Sequence, residues 1–295
     1  MKNMITLILV FFGLVTALKE INESFLMPES VNKALQLKKL YRDSALVVSG
    51  GTASVQLVTK MLISPAAIIS LENLPLNYVK KKGNMIEIGA TTTAAEILES
   101  DGVPNCLLEA AKGIHGLALK QNATIGGNIF TPAPGGDMAT ALLSLDAQLI
   151  MSSSRGRRIV PLTKFYKGPL TYNIRSDELL IAIRIGKPPK HSMFMKQSIY
   201  KYGGQTLASV SVALDSVDKV KRVGVAVGGL TPHPYRASRV EKMLLGQKIS
   251  EELIETTAQN VAEEASDTGL VSKEYLRHLA GVLYKRILTR LTSSR

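Results

Sequence analysis

Cysteine is almost missing from this chain of 295 residues, with Cys106 alone, and tryptophan is absent. One thiol forms no internal disulfide and no multi-thiolate zinc site, and it leaves an iron–sulfur cluster, which takes four protein ligands, without its donors. Any such redox centre belongs in another chain. The four histidines, His115, His191, His233 and His278, lie too far apart for metal-ligand spacings such as His-x3-His. No G-x-S-x-G elbow, Walker loop or G-x-G-x-x-G dinucleotide fingerprint occurs. Aromatic residues make up only 5% and do not interleave with basic ones, which argues against a nucleic-acid partner.

What is present is the composition of a globular protein of about two domains, 45% hydrophobic and 20% charged. The net charge of +12 is uneven. Residues 1–150 hold 12 basic and 12 acidic residues, and residues 151–295 hold 24 basic and 12 acidic, so the whole excess lies in the second half. Such asymmetry concerns association rather than fold.

Lys2 and the apolar stretch Met4 to Leu18 have the order of a secretory signal, with Val15-Thr16-Ala17 as a cleavage site, yet the run is short for a membrane span. The alternative, favoured here, is an N-terminal extension over residues 1–22 or a start codon placed too early. The first reading makes the chain secreted and the second leaves it cytoplasmic, with no membrane span expected in either case.

Apolar β-branched runs mark strands at residues 45–51, where the strand enters a tight loop at a double glycine, and at 66–71 and 85–90, and helices are expected over 30–40, 94–100 and 106–113. Residues 120–137, dense in glycine, proline and small polar groups, read as a long irregular loop before the apolar run Met138 to Leu145. Strands follow at 147–151, 158–162 and 178–185, the last read as alternating. A boundary near Pro188-Pro189 precedes three strands, 193–200, 207–214 and 220–230, expected to form an antiparallel sheet. Two helices close the chain, with Ser250 and Ser272 as N-caps. Leu253, Ile254, Thr257, Ala258, Val261, Ala262 and Ala265 line one stripe. Tyr275, Leu276, Leu279, Ala280, Leu283, Ile287 and Leu291 line the other. The fold class is α+β.

Two glycine loops stand out: Ser49-Gly50-Gly51-Thr52-Ala53-Ser54 and Thr124-Ile125-Gly126-Gly127-Asn128. Glycine lets backbone N–H groups approach a bulky anion, and two such loops fit a pyrophosphate. Each is also a common turn. Asp137 is the only acid between Glu109 and Asp146. It suits either a sugar or ribityl hydroxyl contact or the N-cap of the following helix. Lys196, in a strand with Met193, Phe194 and Met195, is a cation able to stabilise charge on a reduced ring. Cys106 reads as a buried small hydrophobe.

Taken in order, these motifs resemble the medium, FAD-binding subunit of the molybdenum hydroxylases, the group of xanthine, aldehyde and carbon monoxide dehydrogenases. The resemblance rests on Ser49-Gly50-Gly51-Thr52, Ile88-Gly89-Ala90-Thr91-Thr92, Ala123 to Asn128 with Asp137 nine residues on, and Glu178-Leu179-Leu180. Later it rests on Pro234-Tyr235-Arg236-Ala237 with Glu241 and Gly246, and on Ser272 to Tyr275 with Arg277.

It implies a two-lobed FAD-binding domain of the vanillyl-alcohol-oxidase (PCMH) type over 23–188, with lobes of about 23–80 and 81–188. A C-terminal domain of a three-stranded antiparallel sheet and helices would span 189–295. It implies FAD contacts at residues 49–54 and 124–128, with Asp137, Lys196, Ile114 and Leu180 as further contacts. It also implies a small [2Fe-2S] subunit and a large molybdopterin subunit as partners, assembled as a dimer of heterotrimers, with the basic second half as a docking surface for acidic partners. Electrons would pass from the clusters through FAD to an acceptor. Ala53 stands where an acid or hydroxyl residue is usual, and Ile199-Tyr200 where an arginine is common. A freestanding FAD oxidoreductase and a flavin-less assembly subunit are the alternatives.

Overall fold

The computed structural model describes residues 24–131, 136–201, 203–267 and 270–293, so the expectations for residues 1–22 lie outside the described residues. Three sheets carry the architecture. In the first, β1 (Phe25–Leu26), β2 (Ala45–Val48) and β3 (Ala67–Ser70) pair in parallel in the order β1-β3-β2. Parallel pairing needs crossovers. These are supplied by α1 (Val31–Tyr41), N-capped by Ser30, and by α2 (Ser54–Thr59), which starts directly after the first glycine loop.

The second sheet is antiparallel, ordered β4 (Val79–Lys82), β5 (Met85–Gly89), β10 (Leu179–Ile185), β6 (Gln148–Ser153), β7 (Gly156–Pro161). Between β5 and β6 the chain makes α3 (Ala94–Glu99), α4 (Asn105–Lys112), α5 (Leu117–Asn122), α6 (Ile125–Phe130) and α7 (Asp137–Ser144). A small hairpin, β8 (Tyr166–Gly168) and β9 (Thr171–Tyr172), precedes β10 (Leu179–Ile185). The alternation expected of β10 is not what the structure shows. As the central strand it is buried on both faces, Leu180, Ile183 and Ile185 in one core and Leu179, Ile181 and Ala182 in another, across a bulge between Leu180 and Ala182.

The third sheet has β11 (His191–Tyr200), β12 (Gly203–Leu214), β13 (Val223–Gly228) and β14 (Tyr235–Arg236). It has four strands rather than three, because Tyr235 and Arg236 pair with Val227 and Ala226. Helices α8 (Ser238–Leu244), α9 (Glu251–Ala258) and α10 (Lys273–Ser293) follow. Ser250 and Ser272 accept hydrogen bonds from Leu253 N and Tyr275 N, as N-caps do. Helix α9 stops at Ala258, seven residues before its apolar stripe ends, yet Val261, Ala262 and Ala265 still enter the core from the turn beyond. In α10 the expectation for Tyr275 fails: it is 47% exposed, and the buried aromatic is Tyr284, whose hydroxyl donates to Thr257 Oγ1 at 2.9 Å.

Helix α7 joins the two parts of the chain. Gly224 and Gly228 of β13 let it lie close, since a Cβ at Gly224 would fall 2.0 Å from Ser144 O and one at Gly228 would fall 2.3 Å from Thr140 Oγ1. Ser144 Oγ and Ser211 Oγ are hydrogen-bonded at 2.7 Å, and Glu109 accepts from Phe194 N at 2.6 Å. Cys106 is fully buried here, and burial pushes its thiol pKa up to about 11.

Candidate cofactor site

A cavity of about 370 Å³ opens between the first two sheets. Ser49, Gly50, Gly51, Thr52, Ala53 and Ser54 form one side, and Thr124, Gly126, Gly127 and Asn128 face them, with Leu180 on the floor. Two segments 70 residues apart in sequence thus meet across one space. Sequence reading missed Lys38, Asp43, Leu57, Phe130 and Arg175, which also line it, and it picked out Glu178 only as part of a motif.

The two loops do different work. Among the described residues, the backbone N–H groups of Gly50, Gly51, Thr52, Ala53 and Ser54 donate to no protein acceptor; Val55 N, donating to Gly51 O at 3.1 Å, is the first that does. Gly51 has φ +68, which favours glycine, and Gly50 packs against the Asn122 carbonyl with no room for a side chain. Unpaired amides in a row form a concavity for an anion. In the second loop every amide is taken: Ile125 N by Thr92 O, Gly126 N by Ala90 O, Gly127 N by Thr124 Oγ1, Asn128 N by Thr124 O. This segment is not the irregular loop expected. Its described part is two short helices, α5 and α6, and Thr124 caps the second. Gly126 is there for close approach to Ala90, whose carbonyl would be 2.6 Å from a Cβ. At Gly127 a Cβ would meet only Thr124 Oγ1, at 3.0 Å, so this position opens onto the cavity.

Ile125 is fully buried in the core, and Ile114 is half-buried against the same core; neither lines the cavity. Asp137 is the first residue of α7 and does not cap it. That task falls to Asn128, whose Oδ1 accepts from Ala139 N at 3.0 Å. The Asp137 carboxylate accepts instead from Lys196 Nζ at 2.6 Å and Thr206 Oγ1 at 3.2 Å. Burial holds its pKa above the usual carboxylate value, opposed by Lys196. This pair lies beyond the cavity lining, under Gly113, where a Cβ would meet Lys196 Cε at 3.0 Å.

Charge at the cavity is mixed. Lys38 donates to Arg42 O, and burial lowers its pKa while Asp43 and Asp177 oppose the fall. Glu178 accepts from Arg158 Nε and Nη2 at 2.6 and 2.7 Å and from Arg175 N at 2.8 Å. Burial raises its pKa, but these bonds outweigh it and leave the carboxyl below its usual value. Among the described residues no three His, Cys, Asp or Glu side chains could hold a metal ion, and no helix is long and apolar enough to cross a membrane.

An apolar-walled cavity entered by a row of free amides, on an α+β frame, is the site of a protein that binds a nucleotide cofactor. Residues 19–188 match the family described as the FAD binding domain in molybdopterin dehydrogenase, and residues 205–291 match the CO dehydrogenase flavoprotein C-terminal domain. The chain belongs to this family, the FAD-binding medium subunits of the molybdenum hydroxylases. It is 30% identical to the glyceraldehyde dehydrogenase medium chain of Sulfolobus acidocaldarius, over 82% of this chain and 87% of that one. The carbon monoxide dehydrogenase medium chain of Afipia carboxidovorans is 27% identical, over 89% and 94%. The solved structure of reconstituted CO dehydrogenase from Oligotropha carboxidovorans superposes with a TM-score of 0.86 at 25% identity, covering 92% of this chain and 98% of that one.

Proposed function

We propose that the chain is the electron-transfer subunit of a molybdenum hydroxylase, taking electrons from [2Fe-2S] clusters of a small partner and releasing them from FAD to an acceptor. A large molybdopterin subunit would oxidise the substrate, with the subunits assembled as a dimer of heterotrimers in the cytoplasm. When bound, FAD supplies the exchange between one- and two-electron steps, and the protein contributes position and electrostatics. In this reading residues 23–188 form the FAD-binding domain and residues 189–295 the second domain. The basic second half of the chain docks on acidic partner surfaces.

The observation that carries the reading is the row of five free amides from Gly50 to Ser54 facing Gly127 across the cavity. These amides hold the pyrophosphate, with Ser49 and Thr52 hydroxyls beside them. Thr124 and Asn128 fix the short helix α6, whose glycine face leaves room for the ribityl chain. Leu180 packs against the flavin. Asp137 and Lys196 sit deeper, as one ion pair, where the cation can offset negative charge on a reduced ring. Ile114 and Ile125 act from behind, as core support for the loops that carry these contacts.

The test is retention of FAD by the purified full chain and by Gly127→Leu. Gly127 lines the cavity, and a Cβ there would approach only Thr124 Oγ1. Wild type should hold about one FAD per chain, and the variant should lose it while keeping its circular dichroism and melting temperature in the absence of FAD. A Gly127→Leu protein that retains FAD as wild type does would overturn the assignment.

A further inference from the structure

A second cleft, of about 270 Å³, lies back to back with the cofactor cavity. Lys39, Arg42, Ser154, Arg155, Ser176 and Asp177 line it. The same two segments serve both spaces: Lys38, Asp43, Arg175 and Glu178 face the cavity, whereas Lys39, Arg42, Ser176 and Asp177 face the cleft.

Its hydrogen-bond inventory is one-sided. Among the described residues, the side chains of Lys39 and Arg42 have no hydrogen-bond or ion-pair partner. Nor do the amides and hydroxyls of Ser154 and Ser176, or the amide of Asp177. The one anionic group, the Asp177 carboxylate, is engaged by Arg155 Nη2 at 2.9 Å. Three cations against one carboxylate leave the cleft with a charge of +2, and two tight turns, 153–156 and 175–178, contribute Ser154 and Ser176 to its lining. Arg42 adds an independent sign. Its φ of +48 suits glycine, yet an arginine stands here, held by Lys38, whose ammonium binds the Arg42 carbonyl and whose carbonyl accepts the Arg42 N–H. Backbone strain of this kind persists where the surroundings enforce it and gathers at binding sites.

Donors without acceptors, a charge of +2 and room for a small group describe the complement of a doubly charged oxyanion. We propose that this cleft binds the phosphate monoester of a small soluble metabolite, at a site separate from the cofactor cavity. Arg42 and Lys39 supply the charge, and the two serine turns supply the directional donors.

The full chain, prepared with excess FAD, is titrated calorimetrically with inorganic phosphate at constant ionic strength. AMP and adenosine follow as a matched pair. Wild type should show saturable one-to-one binding of phosphate and AMP and none of adenosine. Arg42→Gly, which suits the local backbone, and Lys39→Gln should each weaken binding by about tenfold or more, as loss of one charge-assisted bond does. FAD content should stay unchanged, and the melting temperature should not fall. Gly127→Leu, which lacks FAD and leaves the Gly50–Ser54 amides open, should keep a phosphate site that adding Arg42→Gly removes; this separates failure here from failure of the FAD assignment. The proposal is overturned by absence of saturable phosphate binding, by Arg42→Gly behaving as wild type, or by loss of phosphate binding in Gly127→Leu.

Discussion

Gly50 and Asn122 meet at a distance that admits no side chain: a Cβ on Gly50 would sit 1.4 Å from the Asn122 carbonyl oxygen. Two segments far apart in sequence are thereby locked face to face, which places the free amides of one opposite the glycine face of the other. Gly50→Ala should therefore cost about 1–3 kcal/mol of stability, the usual range for overpacking, and should also weaken FAD retention. Gly186→Ala, at a site with open space around it and no left-handed backbone, is the control for a glycine change without a clash. Denaturation with FAD-free protein separates the two effects.

Arg236 ties the C-terminal end of α7 to the third sheet. It donates to Leu143 O at 2.9 Å and pairs with Glu241 and Asp146. Arg236→Ala should lose about 3 kcal/mol, because a buried helix carbonyl and Glu241 are both left without their cation. Arg236→Lys should recover little, since one ammonium cannot replace the fork. Urea denaturation of the three proteins checks both statements.

Lys196→Met should be more damaging than Lys196→Met with Asp137→Asn, because the single change leaves a buried carboxylate unpaired, at a cost of about 3–5 kcal/mol. The pH dependence has a definite sign. Burial already raises the Asp137 pKa, and Lys196 opposes the rise. Without Lys196 the folded value climbs further above the unfolded one, so protonation favours the folded state. The deficit of Lys196→Met should be largest at neutral pH and shrink as pH falls; a deficit independent of pH would refute this.

Glu178 behaves in the opposite sense. Its folded pKa lies below the ordinary value of 4.5, because bonds from Arg158 and Arg175 outweigh burial. Its contribution is present above the unfolded pKa and is lost as pH falls through the folded one. Glu178→Gln should lower the melting temperature at neutral pH and flatten its fall on acidification. Melting curves collected through the acid range give the comparison.

Legibility from sequence followed how local each determinant is. Strands such as β5 and β12 and helices such as α1 and α4 follow from apolar runs and caps read directly along the chain. Helix α6 did not, because Gly126 and Gly127 have poor helix propensity. The Thr124 cap and the close seat on Ala90 override that propensity. Asp137 and Lys196 were each singled out, but their pairing joins positions 59 residues apart and depends on α7 lying on the third sheet. Tyr275 and Tyr284 show the same limit, since helical period alone did not decide which aromatic faces inward. The donor cleft had no sequence signal, as its six residues come from three separate segments.

Helix α7, tied down along its whole length, also decides which pieces of the chain can live alone. Phe194, Ala213 and Ala226, all beyond residue 188, belong to the same apolar core as Met138, Leu142 and Phe165. A fragment ending at 188 would turn that shared core outward as a greasy flank prone to self-association. The two halves should therefore unfold in one cooperative transition, and amide protons in α7 should exchange only when the entire molecule opens. The boundary visible in the sequence is a joint in the gene's text; in the folded molecule it is sealed.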